Sequence, residues 1–266
     1  EFAIESMVSM NKDFRRLGAW MDFDNAYRPI VPESIEAIWW LIKKVHEQKR
    51  LYEGFRTITW CANCETALAK HELNYKEITD NSIYLKFKLK DAANEYLLVW
   101  TTTPWTIPFN LAVMANPNVI YVKAKVDNEC WIIAKDLTKT VISDLLGKNF
   151  DIIEEFEGQK LEGIEYIPPL YEELSDIYGK IKQEAKKTHT IVLSSEYVDT
   201  SSGTGLVHTA PGCGPEDYEV GHRNGLPPFN NLDERGIFPK EMGIFAGLTA
   251  KKDDSKFTGQ FKKNNT

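Results

Sequence analysis

At 266 residues, 42% apolar and 27% charged, the chain can bury a substantial core, and it holds no apolar run of membrane-spanning length. A formal charge of −7 excludes a protein that grips nucleic acid by bulk electrostatics, so any RNA contact must be local or supplied by something else. Four cysteines do not make a disulfide framework, which makes a reducing cytoplasm the expected compartment; Glu1 to Met10 is too polar for a cleavable leader.

The first ~60 residues read as helical. Pro32 opens a helix with Ile35, Ile38, Trp39, Ile42 and Val45 on one stripe, and Lys49 and Arg50 close it favourably for the helix dipole. Cys61 and Cys64 then form a Cys-x-x-Cys. Strand patterns follow at Ile83–Leu89, Glu95–Thr102, Val119–Val126 and Glu129–Ala134, with Asp127-Asn128 as a turn. Asp136–Leu146 reads as a short helix ended by Gly147, and Leu170–Lys187 as a charged, weakly amphipathic one. Further strands are expected at Asp151–Phe156, His189–Leu193 and Gly205–Ala210. No internal repeat or low-complexity segment is evident. The expected fold is α+β, a β-barrel-like domain decorated with short helices, preceded by a helical segment and a partial zinc-ribbon-like element. The expected divisions are 1–75 for the helical flank and half ribbon, 76–250 for the barrel, and 251–266 for a polar tail. The start at Glu1 and the polar coil expected from Lys262 to Thr266 read as those of an excised piece.

Two motifs carry chemistry. Trp100-Thr-Thr-Thr-Pro-Trp-Thr-Ile-Pro-Phe-Asn110 leaves an apolar strand and runs into Pro104, which cannot continue a ladder. Strand alternation puts Thr101 and Thr103 on one face and Thr102 on the other. The second motif, Gly203-Thr-Gly-Leu-Val-His208-Thr-Ala-Pro-Gly212, is followed by Cys213-Gly-Pro-Glu-Asp217-Tyr. Its glycines permit a tight turn, and Pro215 suits the first position of a helix. An imidazole and a carboxylate, His208 and Asp217, thereby reach one end of a β structure.

The first motif resembles the threonine-rich motif of isoleucyl-tRNA synthetase editing domains, and the second resembles the second motif of the same domain with the same His–Asp spacing. The resemblance covers essentially the whole chain; Asn11–Tyr52 is similar to the part leading into the connective insertion, and Asn231–Phe238 to the stretch after the second motif. Valyl and leucyl relatives usually carry Arg and an acidic residue where Thr103 and Trp105 stand. The His-Ile-Gly-His and Lys-Met-Ser-Lys-Ser signatures of the synthetic site are absent, so amino-acid activation is not expected.

The resemblance implies hydrolysis of valine mischarged onto the isoleucine tRNA, and of valyl-adenylate as a second substrate. One methylene is worth only about 1–3 kcal/mol in a pocket, and the established discrimination by isoleucyl synthetases is ~150-fold. By matching positions, Asp217 would bind the substrate ammonium. Thr102, Thr103, Thr106 and His208 would shape a small side-chain pocket beside Trp105, while Thr101 and Asn110 would position the ribose, the ester or the attacking water. Esters are reactive, so a positioned water suffices and no cofactor is called for. The implied partners are the 3′ end of isoleucine tRNA carrying valine and the remainder of a synthetase; no membrane is expected.

Each residue alone has a plainer reading: His208 as a hydrogen-bonded core histidine, Asp217 as a favourable charge at a helix start worth ~0.3–1 kcal/mol, and the threonines as strand formers. Cys213 beside His208 invites a thiol-hydrolase reading, but family relatives often carry His there, so it is expected to be peripheral. Cys61 and Cys64 have zinc-ribbon spacing, yet a structural site needs four ligands, and an incomplete half-site is expected. The lysines at 180, 182, 186 and 187 and from Lys251 to Lys263 read as a solvated face and tail as readily as phosphate contacts. Two other functions fit the motifs: a module that binds the charged tRNA end without cleaving it, and a valyl-type editor clearing threonine.

Overall fold

A computed structural model describes residues 1–264, which divide into two units, the second beginning at Arg56. The first contains helices α1 (Phe2–Arg16) and α2 (Pro32–Glu47), the latter entered through extended Val31 with Pro32 in its first turn. Neither helix buries a residue. The anticipated stripe on α2 is real as a pattern, but Ile35, Ile38 and Trp39 stay exposed, because two helices in so short a unit supply no facing apolar layer. Phe23 is its one buried apolar side chain, with the Arg15 guanidinium 5.0 Å from the ring centroid.

The second unit starts with a hairpin, β1 (Trp60–Cys61) and β2 (Thr66–Ala67), followed by β3 (Ile83–Leu89), β4 (Glu95–Thr101) and a 3₁₀ turn over Pro104–Phe109. Next come β5 (Ala112–Ala115), β6 (Ile120–Val126), β7 (Glu129–Ala134) and a short helix α3 (Lys135–Thr138) that widens to π-helical turns over Lys139–Leu145. Then follow β8 (Asp151–Glu157), β9 (Tyr166–Ile167), α4 (Ser175–Glu184), β10 (Thr190–Leu193), β11 (Leu206–Thr209), α5 (Pro215–Arg223) and α6 (Asp254–Asn264).

The strands form a six-stranded sheet in the order β8-β6-β7-β4-β3-β9 and a three-stranded sheet β10-β5-β11. Most pairs are antiparallel; β4 with β7 and β5 with β10 are parallel. Leu85, Phe87, Leu97 and Val99 of β3 and β4 pack with Val113, Ile191 and Leu206 of the smaller sheet in one core. Among the described residues neither sheet closes, which corrects the barrel expectation. The sheets touch at corners, through a bridge between Glu165 and Thr190 and a bond from Ala134 N to Thr204 O of 2.9 Å. Strands of two and four residues at β9, β10 and β11 are too short to carry a ladder around the gap.

Two further corrections concern the ends of elements. The polar tail expected from Lys251 contains α6, whose Phe257 and Phe261 are buried against Phe238 and Phe245, ring centroids 5.1 Å apart for Phe238–Phe257. Two aromatic side chains one turn apart were enough to dock a charged helix; residues 265 and 266 lie outside the described residues. The charged helix expected over Leu170–Lys187 is confined to α4, because Leu170 takes a left-handed φ of 65°. No helix among the described residues is long and apolar enough to cross a membrane.

Candidate active site

Thr101 closes β4, in register with Ile83 of β3, and its side chain is buried. Thr103 leaves the extended region (φ −124°, ψ 64°), and Pro104 and Pro108 hold the following 3₁₀ turn. That turn delivers Thr106 to β11, which enters through Gly205 at φ 74°. A Cβ on Gly205 would stand 2.5 Å from the Cβ of Ala134, so glycine is needed both for the conformation and for the space. His208 then pairs in register with Val113 of β5.

The hydrogen bonds at this junction fix one another's direction. Asn110 is fully buried; its Nδ2 donates to the Ala112 carbonyl at 2.8 Å, and its Oδ1 accepts from the Tyr166 hydroxyl at 2.6 Å. The remaining Nδ2 hydrogen donates to His208 Nδ1 at 3.1 Å, which makes Nδ1 an acceptor and puts the proton of the neutral ring on Nε2. His208 Nε2 therefore donates to Thr106 Oγ1 at 2.8 Å. Thr106 spends its own hydrogen on the Thr103 carbonyl at 2.8 Å, so the 3.1 Å contact between Thr103 and Thr106 hydroxyls has Thr103 as donor. Thr101 Oγ1 accepts from the Thr103 amide at 3.0 Å and donates to Thr103 Oγ1 at 3.2 Å. Thr106 is saturated. Thr101 and Thr103 each keep a lone pair.

Burial holds the His208 imidazole down at about 4, so it is neutral at physiological pH. With Nδ1 occupied and Nε2 already protonated, it is a fixed donor and not a general base.

Opposite stands Asp217. Gly214 caps α5 and Pro215 opens it, placing Asp217 in the first turn, where Ala210 N donates to Oδ2 at 3.3 Å. Burial pushes its carboxyl up to about 7, with the single backbone bond working the other way. Trp100, Thr101, Thr103, Trp105, Thr106, His208, Cys213 and Asp217 line a pocket of about 290 Å³, at the lower end for ligand sites. Cys213 is part of its wall, and burial, helped by Asp217, pushes its thiol up to about 12; it is a poor nucleophile there.

Six residues picked out from sequence as site residues thus meet in one pocket: Thr101, Thr103, Trp105, Thr106, His208 and Asp217. Two stand elsewhere. Thr102 is exposed and lines a neighbouring concavity of about 270 Å³ with Tyr197, Asp199 and Ser202, as strand alternation dictates. Asn110, expected at the ribose, ester or water, is behind His208 with both side-chain atoms engaged. Tyr166 and His189, which tie Asn110 from below, carry no motif signal: one sits in a two-residue strand, the other precedes a four-residue one.

Cys61 and Cys64 lie on the β1–β2 hairpin, the Cys64 amide 3.4 Å from Cys61 Sγ. Among the described residues no group of three or more His, Cys, Asp or Glu is placed to hold a metal ion. Two thiols do not complete the four-ligand set of a structural zinc site.

A family model of class I tRNA synthetases (I, L, M and V) matches residues 1–198. The chain belongs to this family. Within it, the chain is 43% identical over 262 residues to the isoleucine–tRNA ligase of Pyrococcus abyssi, covering 96% of the chain and 24% of that protein. To the isoleucine–tRNA ligase of Methanothermobacter marburgensis it is 42% identical over 265 residues, covering 100% of the chain and 24% of that protein. This class I synthetase chain therefore spans about a quarter of the length of the curated relatives it matches. Its fold is similar to the crystal structure of GlLeuRS-CP1, with a TM-score of 0.51 and 16% identity, covering 70% of this chain and 96% of that one.

Proposed function

We propose that the chain hydrolyses aminoacyl esters that a synthetase has mischarged, the substrate being valine on the 3′ end of isoleucine tRNA and, secondarily, valyl-adenylate. One observation carries the proposal: a half-buried carboxylate, Asp217, faces two threonine hydroxyls with free lone pairs across a pocket of about 290 Å³. Three acceptors converging on one space suit donors, namely an ammonium and a water. Asp217 pairs with the substrate ammonium, which returns its carboxyl to the charged form. Thr101 and Thr103 accept from the water and turn its lone pair toward the ester carbonyl. The water oxygen bonds to that carbon, the ester C–O bond breaks, and the ribose hydroxyl leaves with a proton, assisted by its vicinal hydroxyl. Positioning and a dry, polar wall supply the rate, and no covalent nucleophile takes part. His208 and Thr106, locked together, form the side of the pocket that excludes a longer side chain. The similarity to isoleucine–tRNA ligases, with Thr103 and Trp105 in the first motif, supports isoleucine as the cognate amino acid. The implied partners are that tRNA end and the remainder of a synthetase, and the cytoplasm is the matching compartment.

The test is deacylation of preformed valyl- and isoleucyl-tRNA of the isoleucine acceptor, with threonyl-tRNA of the valine acceptor in parallel. Selective loss of valine, slowed roughly 10- to 100-fold in Asp217→Ala, is the expected result. Affinity without ester loss would instead establish a binding module, and preferred loss of threonine a valyl-type editor.

A further inference from the structure

Beneath the pocket lies a buried layer in which Tyr166 and His189 both bond to Asn110. Tyr166 is paired into the larger sheet opposite Leu89 of β3, and its ring stands edge-on to Phe87, centroids 5.4 Å apart. Its amide donates to the His189 carbonyl at 3.0 Å, and His189 Nε2 donates in turn to the Asn110 carbonyl at 3.2 Å. Tyr166 and His189 thus hold Asn110 by its side chain and its backbone. Both are buried, and nothing in the hydrolytic reaction described above touches either.

We infer that Tyr166 is a positioning residue for the pocket: through Asn110 it selects the Nε2–H form of His208 and so the direction in which the threonine hydroxyls point. The inference rests on the hydrolytic reading only for its kinetic arm. The Tyr166 hydroxyl is a donor, since burial drives its pKa far above the ordinary value, and it takes the one oxygen of the Asn110 amide. With that oxygen held, Nδ2 alone faces Ala112 O and His208 Nδ1. Take the hydroxyl away and Asn110 Oδ1 is a buried acceptor without a donor; turning the amide over gives up the bond to Ala112 O but sets Oδ1 against His208, whose ring then carries its proton on Nδ1. In that tautomer Nε2 becomes an acceptor. Thr106 must then donate to it and release the Thr103 carbonyl, and the chain Thr101→Thr103→Thr106 loses its fixed end. The lone pairs of Thr101 and Thr103 no longer face the pocket in one defined arrangement.

The experiment is ¹⁵N–¹H imidazole spectroscopy of the full chain and of Tyr166→Phe, together with kcat and KM for valyl-tRNA hydrolysis. Phe keeps the ring and its packing. Wild type is expected to show His208 as the Nε2–H tautomer, and Tyr166→Phe a population of the Nδ1–H form with kcat lower by about tenfold and KM unchanged. A loss of kcat without a tautomer change would make Tyr166 merely structural and overturn the inference; so would a tautomer change with unaltered kcat. Finding Nδ1–H in the wild-type chain overturns it without any variant, should Tyr166→Phe fail to fold. Absence of hydrolysis in the wild type would count against the editing reading, while the spectra still decide whether Tyr166 sets the tautomer.

Discussion

The two walls of the pocket are built on opposite principles. On the threonine–histidine wall the burial is electrically silent: His208 is neutral, both ring nitrogens have partners, and Thr106 has no unused atom. On the α5 wall a carboxyl is sunk into the same space with one long bond from a backbone amide, and burial pushes it up to about 7. On the first wall the His208–Thr106 pair is complete and sets shape, while Thr101 and Thr103 keep one lone pair each. The second is left unsatisfied, and a cationic ligand completes it. Strain of this kind is what separates a recognition group from a structural one.

The contrast is broken most severely at Asp217. Asp217→Ala removes a charge-assisted bond of about 1.5–3 kcal/mol, so kcat/KM for the valyl ester is expected to fall roughly 10- to 100-fold. His208→Ala acts on the other wall and should damage selectivity more than rate. The isoleucyl ester becomes a substrate, and the unpaired Asn110 amide costs about 1–3 kcal/mol of stability by thermal or denaturant unfolding.

A smaller effect sharpens the comparison through pH. Asp217 is held above its unfolded value, so its contribution to stability is present below about 3.8 and is lost as pH rises through about 7. His189 and His208 are held down to about 4 from 6.5, so theirs is present above 6.5 and lost as pH falls through about 4. Between pH 4 and 6.5 two groups oppose one, and stability from these three rises with pH by about 1.4 kcal/mol per unit. Asp217→Asn removes the opponent and should steepen that slope, as read by denaturant unfolding across the range. The smallest expected effect is Cys213→Ala, which leaves hydrolysis within about twofold because the thiol is protonated and makes no bond in the acid–base network.

What could be read from sequence follows the range of the interactions involved. Long alternating strands such as β3, β4, β6 and β7 declare themselves, and the turn chemistry of Gly205 and Pro215 correctly placed His208 and Asp217. β5 escaped notice, although it is the centre of the smaller sheet, because four apolar residues carry no period. Whether the barrel-like arrangement closes was not legible, since closure depends on how far short strands continue. At the site, alternation alone separated Thr102 from Thr101 and Thr103, yet matching to a motif had put Thr102 with Thr103 in the side-chain pocket. Asn110 looked like a substrate contact because motif position does not reveal burial. Tyr166, 56 residues away in the chain, meets it only through tertiary pairing of β9 with β3.

The central claim is that an unsatisfied carboxyl on one wall recognises the ammonium of a small aminoacyl ester. The most direct test is titration of the chain with a non-hydrolysable valyl-adenosine amide and its desamino analogue from pH 5.5 to 9. The account predicts that the valyl compound binds more than tenfold tighter than the desamino one near pH 7.5. The advantage should shrink as Asp217 protonates below about 7, and again as the ligand amine loses its proton near 8. Equal binding of the two compounds across that range would contradict it.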